Sequence, residues 1–257
     1  MGEWTAILLA GERPGEEAFP ARYGVAAKAL IPIGGEPMLG RVARTLLASP
    51  SIARILVLAQ HPGALMHGQL QWMAEDARIA AAQSGDGISA SISAVAGGAQ
   101  APFPLLVTTA DHALLTPEMV ECFIAGAGGA DVAFALVERS VVERVHDTKR
   151  TWLRLGDGDY SGANLFALAT AASSGALGFW ARVEKDRKKA LRLISYFGPV
   201  LLVRALTRTI TLDAALARIG RRMGLSLNAV RLPFPEAAID VDKPADVELA
   251  EAILASR

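Results

Sequence analysis

Short apolar runs alternate with segments of helical spacing along the first half of the chain, and no other feature constrains the fold as strongly. The runs WTAILLA, ARILVLA, ARIAAA and FPLLVTTAD alternate with the helix-like segments MLGRVARTLLAS, LMHGQLQWMAED and TPEMVECFIAGAG. Continuous apolar strands bounded by helices are typical of a parallel sheet that is covered on both faces. The sequence therefore predicts an α/β protein with a mostly parallel sheet and helices on both sides of it.

The pattern changes at His146. The stretch TWLRLGDGDYSGANLFALAT predicts a β-hairpin, and long helical patterns follow it as far as Arg222. The chain then returns to the strand-like LSLNAVRLP and AAIDVD and closes with the helix KPADVELAEAILAS, for which Asp242 is the predicted N-cap. Because no linker or repeat is evident, we expect one domain over residues 1–257, with residues 146–222 as an insertion that carries a β-hairpin and helices.

Composition excludes several classes of protein. The 257 residues carry 26 Lys plus Arg and 26 Asp plus Glu, so no net charge attracts the chain to nucleic acid. The one cysteine, Cys122, excludes an internal disulfide and suits a reducing compartment. The most apolar segment, residues 193–212, is interrupted by glycine, proline and arginine, which favours a buried helix pair over a membrane-touching face. We expect a cytoplasmic protein without stable membrane insertion.

The loop after the first apolar run, LLAGERPG, is rich in backbone donors and is followed by positive charge. Ligands of open parallel sheets bind beyond the carboxyl ends of the strands, where this loop lies. Gly11 and Gly15 permit close backbone approach to phosphate oxygens, and Arg13, Arg22 and Lys28 could offset the charge of a triphosphate. The P-loop pattern and the GxGxxG fingerprint are both missing. A flexible surface loop with solvated charges is the alternative.

The loop and the segment AKALIPIGGEPML together resemble the signature of GT-A type nucleotidyltransferases, a group that includes MobA-like enzymes and sugar-phosphate nucleotidylyltransferases. Members carry an apolar strand, a loop like LAAGxGxRM and then PKxLLPLxGKPML. The matching positions of the second piece are Lys28, Pro32, Gly35, Pro37, Met38 and Leu39. Because GERPG replaces the usual loop, the resemblance leaves Arg13 and Arg22 as candidates for the arginine that contacts the phosphates. It implies a three-layer, Rossmann-like GT-A fold.

Two acidic segments are candidates for a metal site. Asp111 ends the buried strand of LLVTTAD, where a carboxylate can hold a divalent cation or cap local backbone. The resemblance implies that Asp111 binds Mg²⁺ and that Asp240, in AIDVDKPADV, is the second ligand; Asp242 is more simply the helix cap, although it could bind the ion. Two carboxylates brought together repel each other unless a cation lies between them. The histidines have no zinc-site spacing and are expected to be structural.

The resemblance also suggests nucleotide and acceptor contacts. QSGDGISASISAVAGG lies where the family reads the base, although a plain helix start fits equally well. The segments YSGANLFAL and VEKDRKK suggest acceptor contacts, with a solvated helical face as the alternative for the second. The expected nucleotide-binding residues are Leu9, Ala10, Gly11, Lys28, Gly85, Gly87, Ser89 and Asp111, and the expected acceptor-binding residues are Gly162, Asn164, Lys185 and Lys188.

The predicted reaction is Mg²⁺-dependent transfer of a nucleoside monophosphate from an NTP, CTP or GTP, to a phosphorylated acceptor with release of pyrophosphate. A sugar, polyol or lipid-precursor phosphate is the expected acceptor, and the apolar, basic insertion favours the last two. A GT-A glycosyltransferase is one alternative, but TTADHA has one Asp where an Asp-x-Asp is expected. A non-catalytic nucleotide-sensing module is the other, and the sequence leaves a homodimer open.

Overall fold

A computed structural model of the chain describes residues 4–12, 15, 18–85, 87–146, 150–186 and 198–257, with residues 182–186 described by their backbone. The strands are β1 Trp4–Leu9, β2 Pro32–Ile33, β3 Glu36–Pro37, β4 Ile52–Ala59, β5 Ile79–Gln83, β6 Leu105–Thr109, β7 Val132–Glu138, β8 Leu153–Leu155, β9 Gly158–Leu168 and β10 Leu227–Arg231. The helices are α1 Ala18–Ala21, α2 Met38–Ala48, α3 Pro62–Leu65, α4 Gln71–Glu75, α5 Ile88–Val95, α6 Pro117–Ala127, α7 Arg139–Val142, α8 Ser174–Asp186, α9 Pro199–Leu206, α10 Leu212–Met223 and α11 Pro244–Ala255. Single 3₁₀ turns form at Lys28–Leu30, Gly68–Leu70, Ala171–Ser173 and Pro235–Ala238.

One sheet organises the described chain, in the order β10-β7-β9-β6-β1-β4-β5, with β8 paired to β9. The pairs β1–β4, β1–β6, β4–β5 and β7–β10 are parallel, whereas β9 is antiparallel to both of its neighbours, β6 and β7. The predicted mostly parallel α/β fold is confirmed.

The apolar strands are buried on both faces. Successive residues of β1 show this, because Ala6 and Leu8 pack with α2 and α6 while Ile7 packs with α5 and α8 on the opposite face. A further apolar cluster packs α9 and α10 against β8 and the β7–β10 end of the sheet. Because helices cover both faces of the sheet, successive residues of a strand are mostly apolar, and the strands appear in the sequence as continuous apolar runs.

Helix boundaries follow local chemistry. The Thr116 hydroxyl accepts a hydrogen bond from the backbone N–H of Met119 at the start of α6, and Gly128 ends that helix in the left-handed conformation. At α11 the predicted cap was wrong: Lys243 is the N-cap residue, and Asp246 reaches back to accept the N–H groups of Asp242 and Lys243. A carboxylate in the first turn satisfies those donors, which leaves the Asp242 side chain available to the site.

The apolar segment 193–212 was predicted to form a buried helix pair. Within its described part, α9 buries only one side, where Leu201 packs in the cluster with α10. Val200, Val203 and Leu206 remain exposed on the other side. No helix among the described residues is long and apolar enough to cross a membrane.

Candidate active site

A cleft of about 600 Å³ opens at the carboxyl ends of four neighbouring parallel strands. The ends of β1, β4 and β6 lie in register, with Leu9 paired to Leu58 on one side and to Thr109 on the other. The connections that leave these strands and β5 therefore converge on one edge of the sheet. The cleft is lined by Leu9, Ala10, Gly11, Glu12, Lys28, Ala29, Leu58, Gln60, Ser84, Gly85, Gly87, Ile88, Ser91, Thr109, Ala110, Asp111 and Asp242.

Lys28 joins the two acidic segments at one end of the cleft. Its Nζ donates to Asp111 Oδ2 and to Asp242 Oδ1, each at 2.6 Å. Burial lowers the pKa of the Lys28 ammonium, but the carboxylates of Asp111 and Asp242 outweigh it, and the net pKa is raised. The Thr109 hydroxyl donates to the second oxygen of Asp111, which fixes the orientation of that carboxylate. This end of the cleft therefore holds a permanent cation between two anions.

Asp240 lies close to this cluster but does not line the cleft. Its Oδ1 is buried without a hydrogen-bond partner among the described residues. The cationic group that approaches this oxygen is the Arg150 guanidinium, whose Nη1 lies 3.7 Å away. Desolvation raises the pKa of Asp240 to about 7; Arg150 lowers it, and the neighbouring carboxylates of Asp111 and Asp242 raise it further. The raised pKa therefore reflects burial first, with the neighbouring carboxylates as a smaller contribution.

Hydrogen bonds of Gln60, which follows β4, and of the Glu12 carboxylate hold the loop after β1. Glu12 donates its backbone N–H to Gln60 Oε1 at 3.0 Å, and Gln60 Nε2 donates to the Glu12 carbonyl at 2.9 Å. The Glu12 carboxylate accepts the backbone N–H of Lys28 at 3.0 Å. Gly11 fits against the Gln60 side chain, because a Cβ there would lie 3.3 Å from Gln60 Oε1. A carboxylate therefore lies on the rim of the cleft, beside the lysine.

At the opposite end of the cleft, the described lining residues are polar or apolar and carry no charge. Gly87 begins α5 with φ +104°, a conformation that strongly favours glycine, and Ser91 ties the turn by accepting the N–H of Gly85 and donating to the Gly87 carbonyl. The Ser84 hydroxyl is buried without a hydrogen-bond partner among the described residues. A buried hydroxyl of this kind is costly unless a ligand or water satisfies it.

Many of the residues singled out from the sequence meet in this cleft. Leu9, Ala10, Gly11, Lys28, Gly85, Gly87 and Asp111 line it together. Ser89, in contrast, is buried in the first turn of α5 at 3% exposure and is not among the lining residues. The serine that reaches the cleft is Ser91, half a turn further along the helix.

The other predicted site residues are not among the described residues that line the cleft. Arg22 is exposed at the end of α1, and neither Gly162 nor Asn164 lines the cleft. Asn164 adopts φ +45° where the register of β9 against β7 shifts, a conformation that Asn tolerates better than most residues. Arg13 and Lys188 lie outside the described residues, and Lys185 belongs to the part of α8 whose backbone alone is described.

Sequence reasoning missed several lining residues, of which Gln60 and Ser84 are the clearest. Each follows the carboxyl end of a strand, β4 or β5, so the rule that pointed to the β1 loop would have found both. Arg150 carries no such signal, because its approach to Asp240 joins residues that are distant in sequence.

The four histidines differ in their surroundings, since His61 and His67 are exposed whereas His112 is buried. His112 is fully buried, and desolvation lowers the pKa of its imidazole to about 4 although neighbouring Asp111 opposes the shift. The Ala237 backbone approaches the ring, but neither ring nitrogen makes a hydrogen bond of regular geometry. His146 lies 3.5 Å from Glu236 through Nε2. Among the described residues, no group of three or more His, Cys, Asp or Glu side chains has a metal-binding arrangement.

Comparison with known proteins decides the family. A family model described as a MobA-like NTP transferase domain matches residues 6–217, which is most of the chain. The chain belongs to this family. Its members are nucleotidyltransferases, so the resemblance drawn from LLAGERPG and AKALIPIGGEPML is confirmed.

Solved structures of related shape agree. A hypothetical transferase from Thermus thermophilus has 29% sequence identity and a TM-score of 0.81, with 95% of this chain and 99% of that chain covered. The 4-diphosphocytidyl-2C-methyl-D-erythritol synthase from Anaerococcus prevotii has 11% identity, a TM-score of 0.61 and coverage of 99% and 96%. A CMP:2-keto-3-deoxy-manno-octonic acid synthetase, solved with CTP, has 14% identity, a TM-score of 0.61 and coverage of 99% of both chains. The last two show the shared fold alone. No curated protein sequence matches the chain.

Proposed function

We propose that this MobA-like NTP transferase moves a nucleoside monophosphate from an NTP to a phosphorylated small molecule and releases pyrophosphate. The observation that carries the proposal is the position of Lys28 between Asp111 and Asp242 at one end of a cleft whose other end, among the described residues, carries no charged side chain. A nucleoside triphosphate has the same division, with a charged phosphate tail and a neutral base.

The residues present fit a magnesium ion. A divalent cation would satisfy the orphaned Oδ1 of Asp240, a carboxylate whose pKa is raised mainly by burial and further by the nearby Asp111 and Asp242. We propose that Asp111 and Asp240 hold Mg²⁺, with the Asp242 carboxylate beside them in the cleft. When bound, the ion would neutralise phosphate charge and act as a Lewis acid at the reacting phosphorus.

The chemistry that this arrangement supports is a direct displacement. An oxygen of the acceptor phosphate forms a bond to the α-phosphorus of the NTP, and the bond from the α-phosphorus to the bridging oxygen of the β-phosphate breaks, which frees pyrophosphate. Lys28, already fixed by two carboxylates, would stabilise the charge that develops on the phosphates. Arg22 and Arg13 remain proposed phosphate contacts.

Base and acceptor are proposed from weaker support. CTP is favoured because two solved structures that share this fold are named for cytidylyl products or were solved with CTP. The end of the cleft lined by Gln60, Ser84 and Ser91 offers hydrogen-bond donors and acceptors to a base.

A polyol or lipid-precursor phosphate is the proposed acceptor, with Gly162, Asn164, Lys185 and Lys188 as its proposed contacts. We place the enzyme in the cytoplasm.

The test is a matrix of four NTPs against a panel of sugar, polyol and lipid-precursor phosphates, read as pyrophosphate release with and without Mg²⁺. We expect turnover with CTP, and a loss of about 10²–10³-fold in kcat/KM for Lys28→Met and for Asp111→Asn. Glu75→Gln, on exposed α4, is the control for handling and should match the unchanged protein. Nucleotide binding without pyrophosphate release on every acceptor would replace the proposal with a sensing role.

A further inference from the structure

The short helix α9 exposes an apolar face. Val200, Val203 and Leu206 are 52%, 57% and 82% exposed, and their spacing of three residues keeps them on one side of the helix. Leu201 and Ala205 occupy the other side and pack in the cluster with α10. A helix that is apolar on both sides and buries only one of them has surface left for a second apolar environment.

This exposure is concentrated in one place. Five large apolar side chains are exposed in the described part of the chain, and three of them belong to α9. A fourth, Leu153, lies on β8, which packs against α9. Scattered exposed apolar residues need no explanation, whereas a contiguous group of them marks an interaction surface. We call Leu153, Val200, Val203 and Leu206 the α9 face.

Arginine is concentrated in the part of the sequence that forms α9 and α10. Residues 198–223 carry Arg204, Arg208, Arg218, Arg221 and Arg222 against one acid, Asp213. Asp213 already pairs with Arg231 at 3.1 Å, at the other end of α10 from Arg218, Arg221 and Arg222. A chain with no net charge overall therefore places a local cationic surface next to exposed apolar side chains.

A groove connects the two features. A cavity of about 420 Å³ lies between the first turn of α9 and the last turns of α10. Phe179, Pro199, Leu201, Ile219 and Met223 give it apolar walls, and the three arginines of α10 lie at the same cavity. Apolar walls beside guanidinium groups suit a ligand with an acyl chain and an anionic head.

We propose that the α9 face, with Arg218 and Arg221 of α10, forms a docking site for an anionic phospholipid surface. The charge decides between occupants, because a second copy of the chain would bring the same arginines and repel them, whereas anionic headgroups complement them. The apolar side chains would enter the boundary between headgroups and acyl chains without crossing the bilayer. The proposal does not depend on the proposed nucleotidyl transfer, because vesicle binding is measured without nucleotide or acceptor.

Co-sedimentation of the full chain with vesicles tests this directly. We expect binding to vesicles of equal parts phosphatidylglycerol and phosphatidylcholine, weak binding to phosphatidylcholine alone, and a loss of binding as salt is raised. No binding to the anionic vesicles at low salt would overturn the proposal.

Matched substitutions identify the surface. Leu206→Ser should weaken binding to anionic vesicles several-fold, whereas Val145→Ser, at a side chain that is 62% exposed but lies after α7, should not. Arg221→Ser should weaken binding about fivefold, and Arg54→Ser, on exposed surface of β4, should leave it unchanged. Because these side chains are exposed, the variants should fold normally, which circular dichroism checks.

Two results would contradict the assignment. Equal loss of binding in the control variants would show general adhesion rather than a docking site. A dimer in solution that Leu206→Ser converts to a monomer, measured by analytical ultracentrifugation without lipid, would show that the α9 face is an interface between copies of the chain.

Discussion

At the scale of single residues, the described part of the site has more carboxylates than cationic side chains to pair with them. Asp111 and Asp242 share the Lys28 ammonium, and Asp240 has only a 3.7 Å contact with Arg150. The two segments meet because β6 ends at Thr109 beside the strand that carries the lysine loop, while the Asp242 side chain is released by the capping of α11. We therefore expect the stability and activity of the protein to change by different amounts when the charge of each carboxylate is removed.

Substitutions at Asp240 and Asp242 separate their roles. Asp240→Asn removes a partly buried charge whose pKa is raised to about 7, so we expect the protein to become more stable or unchanged but to lose Mg²⁺ affinity and about 10²-fold in kcat/KM. Asp242→Asn removes one exposed partner of Lys28 and should cost less than tenfold. Isothermal titration with Mg²⁺ and CTP, beside steady-state kinetics, measures both. Equal effects of the two variants would contradict the proposed difference between them.

Glu12 provides a charge test on the rim of the cleft. Its carboxylate accepts the N–H of Lys28, and glutamine in its place can keep that hydrogen bond while removing the negative charge. Because a triphosphate is repelled by a nearby carboxylate, Glu12→Gln should lower the KM for the NTP about fivefold with kcat little changed, and the difference should shrink at high salt. Glu75→Gln is the distant control. An increase in KM would instead mean that the carboxylate binds the metal or the substrate.

At the scale of elements, one side chain fastens three strands. Asp131, at the start of β7, accepts hydrogen bonds from the Thr170 hydroxyl beyond β9 and from the backbone and hydroxyl of Ser226 before β10. The Ser226 and Thr170 contacts lower the pKa of the Asp131 carboxyl to about 2. The Asp131 carboxylate thus links β7 to the residues that follow β9 and precede β10.

Asp131→Asn should destabilise the protein by about 1–2 kcal/mol, because an amide presents a donor where Ser226 requires an acceptor. The folded-state pKa of Asp131 lies below its ordinary value of 3.8, so its contribution is complete above about pH 4 and is lost as the pH falls towards 2. Urea unfolding at pH 7 and at pH 3 measures the difference between the two proteins, which should narrow at the lower pH. Glu75→Gln, on the exposed side of α4, should show no such effect.

The sequence could predict the elements better than their pairing. Continuous apolar runs identify β1, β4 and β6, and the same reasoning places Lys28, Gly11 and Asp111 at one edge of a parallel sheet. The insertion of β9 between β6 and β7, antiparallel to both, could not be predicted, since it depends on contacts between residues distant in sequence. The same limit hid Arg150, whose approach to Asp240 is a tertiary contact, and led to Asp242 being chosen as the cap in place of Lys243.

At the scale of the whole molecule, the described part of residues 146–222 shares the core of the first half of the chain. β9 pairs with β6 and β7 inside the main sheet, and Leu177 of α8 packs with Ile92 of α5, the helix that begins in the cleft. A segment joined to its surroundings in this way has no separate core with which to unfold alone. The prediction of one domain over residues 1–257 can therefore be tested by cooperativity.

Thermal unfolding should show one transition, and nucleotide should shift all of it. A ligand at about 100 times its Kd stabilises the folded state by about 2.7 kcal/mol, which for a chain of this length is a rise of roughly 5–10 °C in Tm. We expect calorimetry with CTP and Mg²⁺ to show that rise, and Lys28→Met to abolish most of it.

Tryptophan fluorescence supplies a local probe, because Trp180 lies on α8 in the insertion and packs against Phe166 of β9, whereas Trp72 lies on α4 in the first half. Single-tryptophan variants that keep one or the other should report the same midpoint and the same shift. If the Trp180 signal unfolded at its own temperature and ignored CTP, the insertion would be an independent unit, and the acceptor contacts proposed within it would have to be placed elsewhere.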